Sequence, residues 1–217
     1  MLLATDRSGV MASENGTATW TSSNRGYTHR YVTSILADHK DPQIMYVGVV
    51  NDREWGGVFY SRDGGRSWLQ KSSGLQGRDV FSLKQSTNGS LVAGTNRGMF
   101  MLDVAGTTWR PINSIVNEKV VTKTVKKGKK STVATTRIPE KSVLESKVSD
   151  VEIDGDRWLA ATASGIFTSS NQGKTWQGGP VMSALAQLNG DKLLAARLLG
   201  IGKTTLYRKL KEYSSQT

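Results

Sequence analysis

The residues best equipped for chemistry in this chain are cations, and they are concentrated in two places. Between Asn117 and Lys147 nine Lys and Arg stand against three Glu, and between Asp191 and Tyr213 six stand against two acidic residues. These two segments therefore carry +6 and +4 of a formal net charge of +11. Ammonium and guanidinium groups gathered in this way can neutralise phosphates, so an anionic partner such as nucleic acid is the first expectation. Enzymatic chemistry is poorly provided for. The 217 residues include no cysteine, which excludes a thiol nucleophile, a thiolate metal site and a disulfide scaffold. Only His29 and His39 could serve a zinc site or a histidine-based triad. Gly202-Lys203-Thr204 has the ending of a phosphate loop, but that motif requires a glycine five residues before Gly202, where Arg197 stands. No catalytic residue, metal ligand, cofactor or small-molecule substrate is expected.

The elements that must position these cations are mostly strands. A composition of 37% hydrophobic and 22% charged residues is ordinary for a globular protein, and 23 glycines against four prolines point to many tight turns. No stretch approaches the roughly 18 uninterrupted apolar residues of a spanning helix, and the opening Met1-Leu2-Leu3-Ala4-Thr5-Asp6-Arg7 is too short an apolar run for a signal peptide. No membrane contact and a cytoplasmic location are the expectations. Internal repetition is clear. Gly9 to Trp20, Gly57 to Trp68, Gly98 to Trp109 and Gly165 to Trp176 share one frame, with glycine and tryptophan eleven positions apart in each. The tryptophans follow one another at intervals of 48, 41 and 67 residues, a blade-sized period of about 40–45 with one insertion. Alternating strands such as Val80 to Lys84, the Asn88-Gly89 turn and the strand Leu91 to Ala93 give four short strands per unit.

The turn before each tryptophan resembles the Asp-box, or BNR repeat, of sialidases, sortilin-like receptors and photosystem assembly factors, whose pattern is Ser-x-Asp-x-Gly-x-Thr-Trp. Ser61 to Trp68 is the fullest copy, with Asp63, Gly65 and Trp68 in place. Ser169 to Trp176 keeps Gly173 and Trp176 but has Asn171 for the aspartate. Ser13 to Trp20 has Asn15 for the aspartate and Thr17 for the glycine, and the copy ending in Trp109 has lost the serine. These residues read as structural: the short side chain accepts N–H groups of its own turn, glycine supplies a positive φ, and the indole fills the space between hairpins. The arginine cluster and tyrosine nucleophile of a sialidase cannot be assigned, because Arg53, Arg66, Arg78 and Arg97 lie at turn signals.

The expected fold is mainly β, an incomplete Asp-box propeller of four-stranded blades. It comprises a partial blade at 1–22, blades at 30–70, 79–112 and 148–180, and a basic two-stranded ribbon at 117–147. Propellers close with about four to eight blades, so this array reads as part of a longer one whose open edge a protein partner or a second copy would cover. The ribbon reads first as a solvated arm whose lysines block edge pairing, and second as a dock for phosphates.

After Pro180 the pattern changes. Beyond a junction at 181–190, Asp191 to Leu199 and Lys203 to Tyr213 have helical apolar spacing around Leu199-Gly200-Ile201-Gly202, and Ala196 precedes Gly200 by four residues, which is helix-turn-helix spacing. Residues 182–196 also parallel the start of a blade, Val148 to Ala161, so strands remain an alternative there. The run Ala195 to Tyr213 closely resembles the C-terminal helix-turn-helix of the Fis family, found also at the end of enhancer-binding response regulators. That resemblance implies a module at 191–217 whose second helix enters the major groove. Lys203, Thr204, Thr205, Tyr207 and Arg208 would then face bases or nearby phosphates, and Lys209 and Lys211 the backbone. The function it implies is sequence-specific binding of duplex DNA, in the manner of a transcription regulator and without catalysis. The alternative is a protein- or glycan-binding propeller scaffold with a non-functional tail.

Overall fold

In a computed structural model the described residues form four successive antiparallel sheets and one separate ribbon. The structure describes residues 1–27, 31–51, 53–127 and 130–178, together with Lys192, Leu193, Ala196, Gly202, Lys203, Thr204 and Tyr207; for 117–127, 130–135, 137 and 140 it describes the backbone alone. The first sheet holds three strands, β1 (Leu2–Ala4), β2 (Val10–Ala12) and β3 (Thr21–Ser22). The second holds β4 (Val32–Ala37), β5 (Met45–Val49), β6 (Gly57–Ser61) and β7 (Leu69–Gln70). The third holds β8 (Val80–Gln85), β9 (Leu91–Thr95), β10 (Met99–Leu102) and β11 (Arg110–Pro111). The ribbon pairs β12 (Ser114–Lys127) with β13 (Lys130–Val143), and the fourth sheet holds β14 (Val148–Asp154), β15 (Arg157–Thr162), β16 (Gly165–Ser169) and β17 (Gln177–Gly178). Each sheet is a meander with its strands in chain order. The ribbon begins and ends earlier than the expected 117–147, because pairing continues unbroken down to Ser114 and Val143.

The repeat extends into details that only the fold displays. The first strand of each four-stranded sheet carries a bulge at the same place, between Val32 and Ser34, Val80 and Ser82, and Val148 and Asp150. In three of the sheets a hairpin is closed by a threonine hydroxyl that donates to a glycine carbonyl: Thr5 to Gly9 (2.7 Å) between β1 and β2, Thr95 to Gly98 (2.8 Å) between β9 and β10, and Thr162 to Gly165 (2.7 Å) between β15 and β16. Gly94 in β9 lies where the third and fourth sheets approach closely, since a Cβ there would lie 2.6 Å from Ser82 Oγ and 2.9 Å from Val148 Cγ1 of the next sheet. Gly48 meets Ser34 and Val80 in the same way.

Burial follows the sheet-to-sheet contacts. One apolar cluster, including Val10, Tyr27, Val47 and Trp68, joins the first two sheets; a second, including Val58, Leu83, Phe100 and Trp109, joins the second and third. A third, including Met99, Ile112, Leu144, Val151, Trp158 and Trp176, joins the third and fourth. The tryptophans also fasten each sheet to its predecessor. Trp68, Trp109 and Trp176 are all but fully buried, and their Nε1–H groups donate to the carbonyls of Ser23 (2.8 Å), Lys71 (2.7 Å) and Ile112 (2.7 Å). Their backbone N–H groups donate to Arg25, Ser73 and Ser114, each at 2.8 Å. Trp20, in the first sheet, is only partly buried and has no such partner among the described residues.

The turns that present these indoles are closed locally. Ser61 Oγ donates to Asp63 Oδ1 (2.7 Å) and accepts Gly65 N–H (2.8 Å), while the same Asp63 oxygen accepts the N–H groups of Arg66 (3.0 Å) and Ser67 (2.9 Å). The hydroxyl of Ser67 donates to the other Asp63 oxygen. Asn171 and Asn15 reproduce the pattern, accepting Thr175 N–H (2.9 Å) and Thr19 N–H (3.0 Å) through the carbonyl and donating through the amide to the threonine hydroxyl. Gly65 and Gly173 have φ of +87° and +75°, and Thr17 takes the same left-handed conformation at +79°. In the Trp109 copy, which lacks the serine, the turn is held by Gly106 N–H on the Asp103 carbonyl (2.8 Å) and by the Arg110 guanidinium on the Asp103 carboxylate (3.3 Å).

The ribbon replaces a single residue in the connection between two sheets. In the first two connections, Tyr27 N–H donates to Asn24 and Leu75 N–H to Ser72; in the third, Leu144 N–H donates to Asn113 at 2.8 Å. Asn24, Ser72 and Asn113 each also accept, through the side chain, the N–H of Val10, Val58 or Met99. Gly26 and Gly74 fill the remaining position in the first two, and everything from Ile115 to Val143 fills it in the third.

Candidate nucleic-acid interface

At the C-terminus Lys192, Leu193 and Ala196 are helical, as are Lys203, Thr204 and Tyr207, and Gly202 between them is not. The alternative in which 182–196 forms blade strands therefore fails at Lys192, Leu193 and Ala196. The physical reason is composition: Lys192 to Leu199 contains only strong helix formers and no β-branched residue. Ala196 is 4% exposed, as suits a small residue where helices approach closely. The remaining residues of 179–217 lie outside the described residues.

Of the expected DNA-facing residues, Lys203, Thr204 and Tyr207 are exposed on one helical stretch; Thr205, Arg208, Lys209 and Lys211 lie outside the described residues. Lys203 and Tyr207 are one turn apart, and the Lys203 ammonium stands 5.9 Å from the Tyr207 ring centroid. Lys192, which the sequence reading did not single out, brings its ammonium to 5.3 Å from the same ring. Each contact is worth about 0.5–1 kcal/mol at an exposed position. Their larger consequence is geometric, because the ring gathers one cation from either side of Gly202 and so concentrates positive charge beside the exposed Thr204. Among the described residues no group of three or more His, Asp or Glu could hold a metal ion.

A second feature lies on the sheets. The connection between β5 and β6 carries a short 3-10 turn, Arg53–Trp55, and Trp55 is 70% exposed. Trp55 lines a cleft of about 370 Å³ with Asn51, Arg53 and Glu54, and Glu54 also lines a second cleft of about 510 Å³ with Gln70, Ser72, Ser73, Gln76 and Gly77. Asn51, Arg53 and Gln76 have φ of +65°, +49° and +55°, a conformation that costs about 1–3 kcal/mol per non-glycine residue unless its surroundings impose it. Here they do. Asn51 N–H donates to Asp79 Oδ1 (2.7 Å), and the Gln70 amide donates to the carbonyls of Glu54 (2.8 Å) and Gly56 (3.0 Å).

Residues 181–213 match the family model described as bacterial regulatory protein, Fis family. No curated protein matches the chain. Among solved structures, the chain is similar to an ancestral GH74 enzyme, at 16% identity and a TM-score of 0.56 over 82% of this chain and 22% of that one. It is similar also to the extracellular domain assigned to a one-component system, BT4673 of B. thetaiotaomicron, at 14% identity and a TM-score of 0.57 over 82% of this chain and 20% of that one. The chain thus spans about a fifth of the length of these two structures, and at such identity the likeness concerns the fold alone. The chain therefore joins a propeller-like array of β-sheets to a C-terminal segment of the Fis helix-turn-helix type.

Proposed function

We propose that this protein binds duplex DNA sequence-specifically through its C-terminal helix-turn-helix, with the sheets serving as an attached, non-catalytic module, in the manner of a transcription regulator of the bacterial cytoplasm. The observation that carries this reading is the match of residues 181–213 to a family of regulatory proteins, on a segment where Lys203, Thr204 and Tyr207 are helical and exposed. A recognition helix reads base edges through its first turns while flanking cations hold phosphates. In this reading Lys203, Thr204, Thr205, Tyr207 and Arg208 would face bases or nearby phosphates, and Lys209 and Lys211 the backbone. The test selects a duplex from a random library with the full chain and then measures binding by fluorescence anisotropy. Lys203→Ala combined with Arg208→Ala should weaken the selected duplex at least tenfold and erase its advantage over unrelated DNA. Unchanged discrimination would overturn the reading, and hydrolysis of a polysaccharide by the purified chain would overturn the non-catalytic role of the sheets.

The cleft beside Trp55 favours a second reading, a propeller scaffold that binds a glycan. An exposed indole beside carboxamide, hydroxyl and carboxylate groups suits a pyranose ring, with its apolar face and its rim of hydroxyls. Calorimetry against an oligosaccharide panel would show binding that Trp55→Ala removes if this reading holds.

A further inference from the structure

We propose that the ribbon β12–β13 is a second docking arm for duplex DNA, one that recognises phosphates without regard to sequence. This role does not depend on the C-terminal helices. It goes beyond the reading of the ribbon as a solvated arm.

Pairing runs without a bulge from Ser114↔Val143 to Lys127↔Lys130, fourteen residues on each strand. At about 3.4 Å per residue the arm is about 45 Å long, more than one turn of B-DNA at about 34 Å. A two-stranded ribbon also matches the major groove, about 12 Å wide.

The charge is distributed in a way that folding does not explain. Residues 114–143 hold eight cations and two acids, and both acids, Glu118 and Glu140, stand near the root. From Lys119 to Pro139 there are seven cations and no acidic residue. Strand alternation places Lys119, Lys123, Lys127 and Lys130 at register positions of one face, and Lys127 is directly opposite Lys130. Like charges directly opposite destabilise a sheet, and blocking edge pairing requires neither a single sign nor such a length. A polyanion lying along the arm offsets that repulsion. The root leaves the blade connection intact, with Leu144 N–H on Asn113 as in the shorter connections, so the sheets do not need the arm for their own packing beyond Ile115.

The test uses the full chain, two fluorescein-labelled 20-bp duplexes of unrelated sequence, and salt from 50 to 200 mM. One variant carries Lys119→Gln, Lys123→Gln, Lys127→Gln and Lys130→Gln; a second replaces Ile115–Val143 with one glycine; a third carries Lys203→Ala with Arg208→Ala. The third variant should still bind both duplexes with steep salt dependence. The first should lose at least tenfold affinity at 50 mM salt, and its slope of log affinity against log salt should flatten by about 3–4, since each phosphate contact contributes about 0.9. The glycine replacement should show the same loss. Unchanged affinity and slope in the first two variants would overturn the role, whatever the third shows. Binding of the native chain to phosphatidylserine vesicles as tightly as to duplex, with the same dependence on the four lysines, would also overturn it by making a lipid surface the partner.

Discussion

Asp63 shows how much a single side chain can do when its partners are all within four residues. The hydroxyls of Ser67 and Ser61, joined by the N–H groups of Ser67 and Arg66, hold its carboxyl well below the usual carboxylate range. The sign follows directly: a carboxylate whose pKa is depressed in the folded state adds stability above the unfolded value near 3.9, and that contribution is lost as pH falls toward the folded value. Asp63→Ala should therefore cost about 1–3 kcal/mol in urea unfolding at pH 7. Asp63→Asn should cost less, because Asn15 and Asn171 make the same turn, and its deficit against the native chain should shrink between pH 4 and pH 2. A deficit that grows on acidification would contradict the account. The indoles offer a second comparison at this scale. Trp176→Phe removes a donor from the buried Ile112 carbonyl and should cost about 1–3 kcal/mol, whereas Trp20→Phe should stay within about 0.5 kcal/mol, because Trp20 is only partly buried and has no acceptor among the described residues. Paired thermal melts of the two variants measure the difference.

At the scale of elements, the ribbon is an insertion with a one-residue footprint. Gly26 and Gly74 each bridge the position that Ile115 to Val143 occupies in the third connection, and the flanking hydrogen bonds are the same in all three. Replacing Ile115–Val143 with a single glycine should leave cooperative unfolding in place. The expected cost is about 1–3 kcal/mol, for the burial of Ile115 beside Trp176. Loss of the transition would show that the ribbon braces the third and fourth sheets. Its two-strand pattern was legible in the alternating Val and Thr residues. Its root was not, because Ser114 and Val143 pair only by virtue of lying where two sheets meet.

On the scale of the whole molecule, each sheet packs on its chain neighbours through its own apolar cluster, as in repeat proteins whose stability is a sum of nearest-neighbour terms. The first sheet, with three strands and one described neighbour, should open more readily than the third, which is packed on both sides. Hydrogen exchange should accordingly be faster in β1 and β2 than in β9 and β10, and the reverse order would refute nearest-neighbour stability.

The repeat was legible by sequence because its determinants are local. The eleven-residue frame from glycine to tryptophan and the Asp63 and Asn171 turns act within a few residues, so residue type and spacing determine them. The shift to helix after residue 190 was legible for the same reason, since helix propensity is a property of the segment. What stacking alone decided lies at long separation. Trp68, Trp109 and Trp176 reach carbonyls 45, 38 and 64 positions away, and Lys192 meets the Tyr207 ring from fifteen positions before it. Trp20 closes the same eleven-residue frame as Trp68 and differs from it in burial, because an indole is buried by the sheet beside it and not by its own turn.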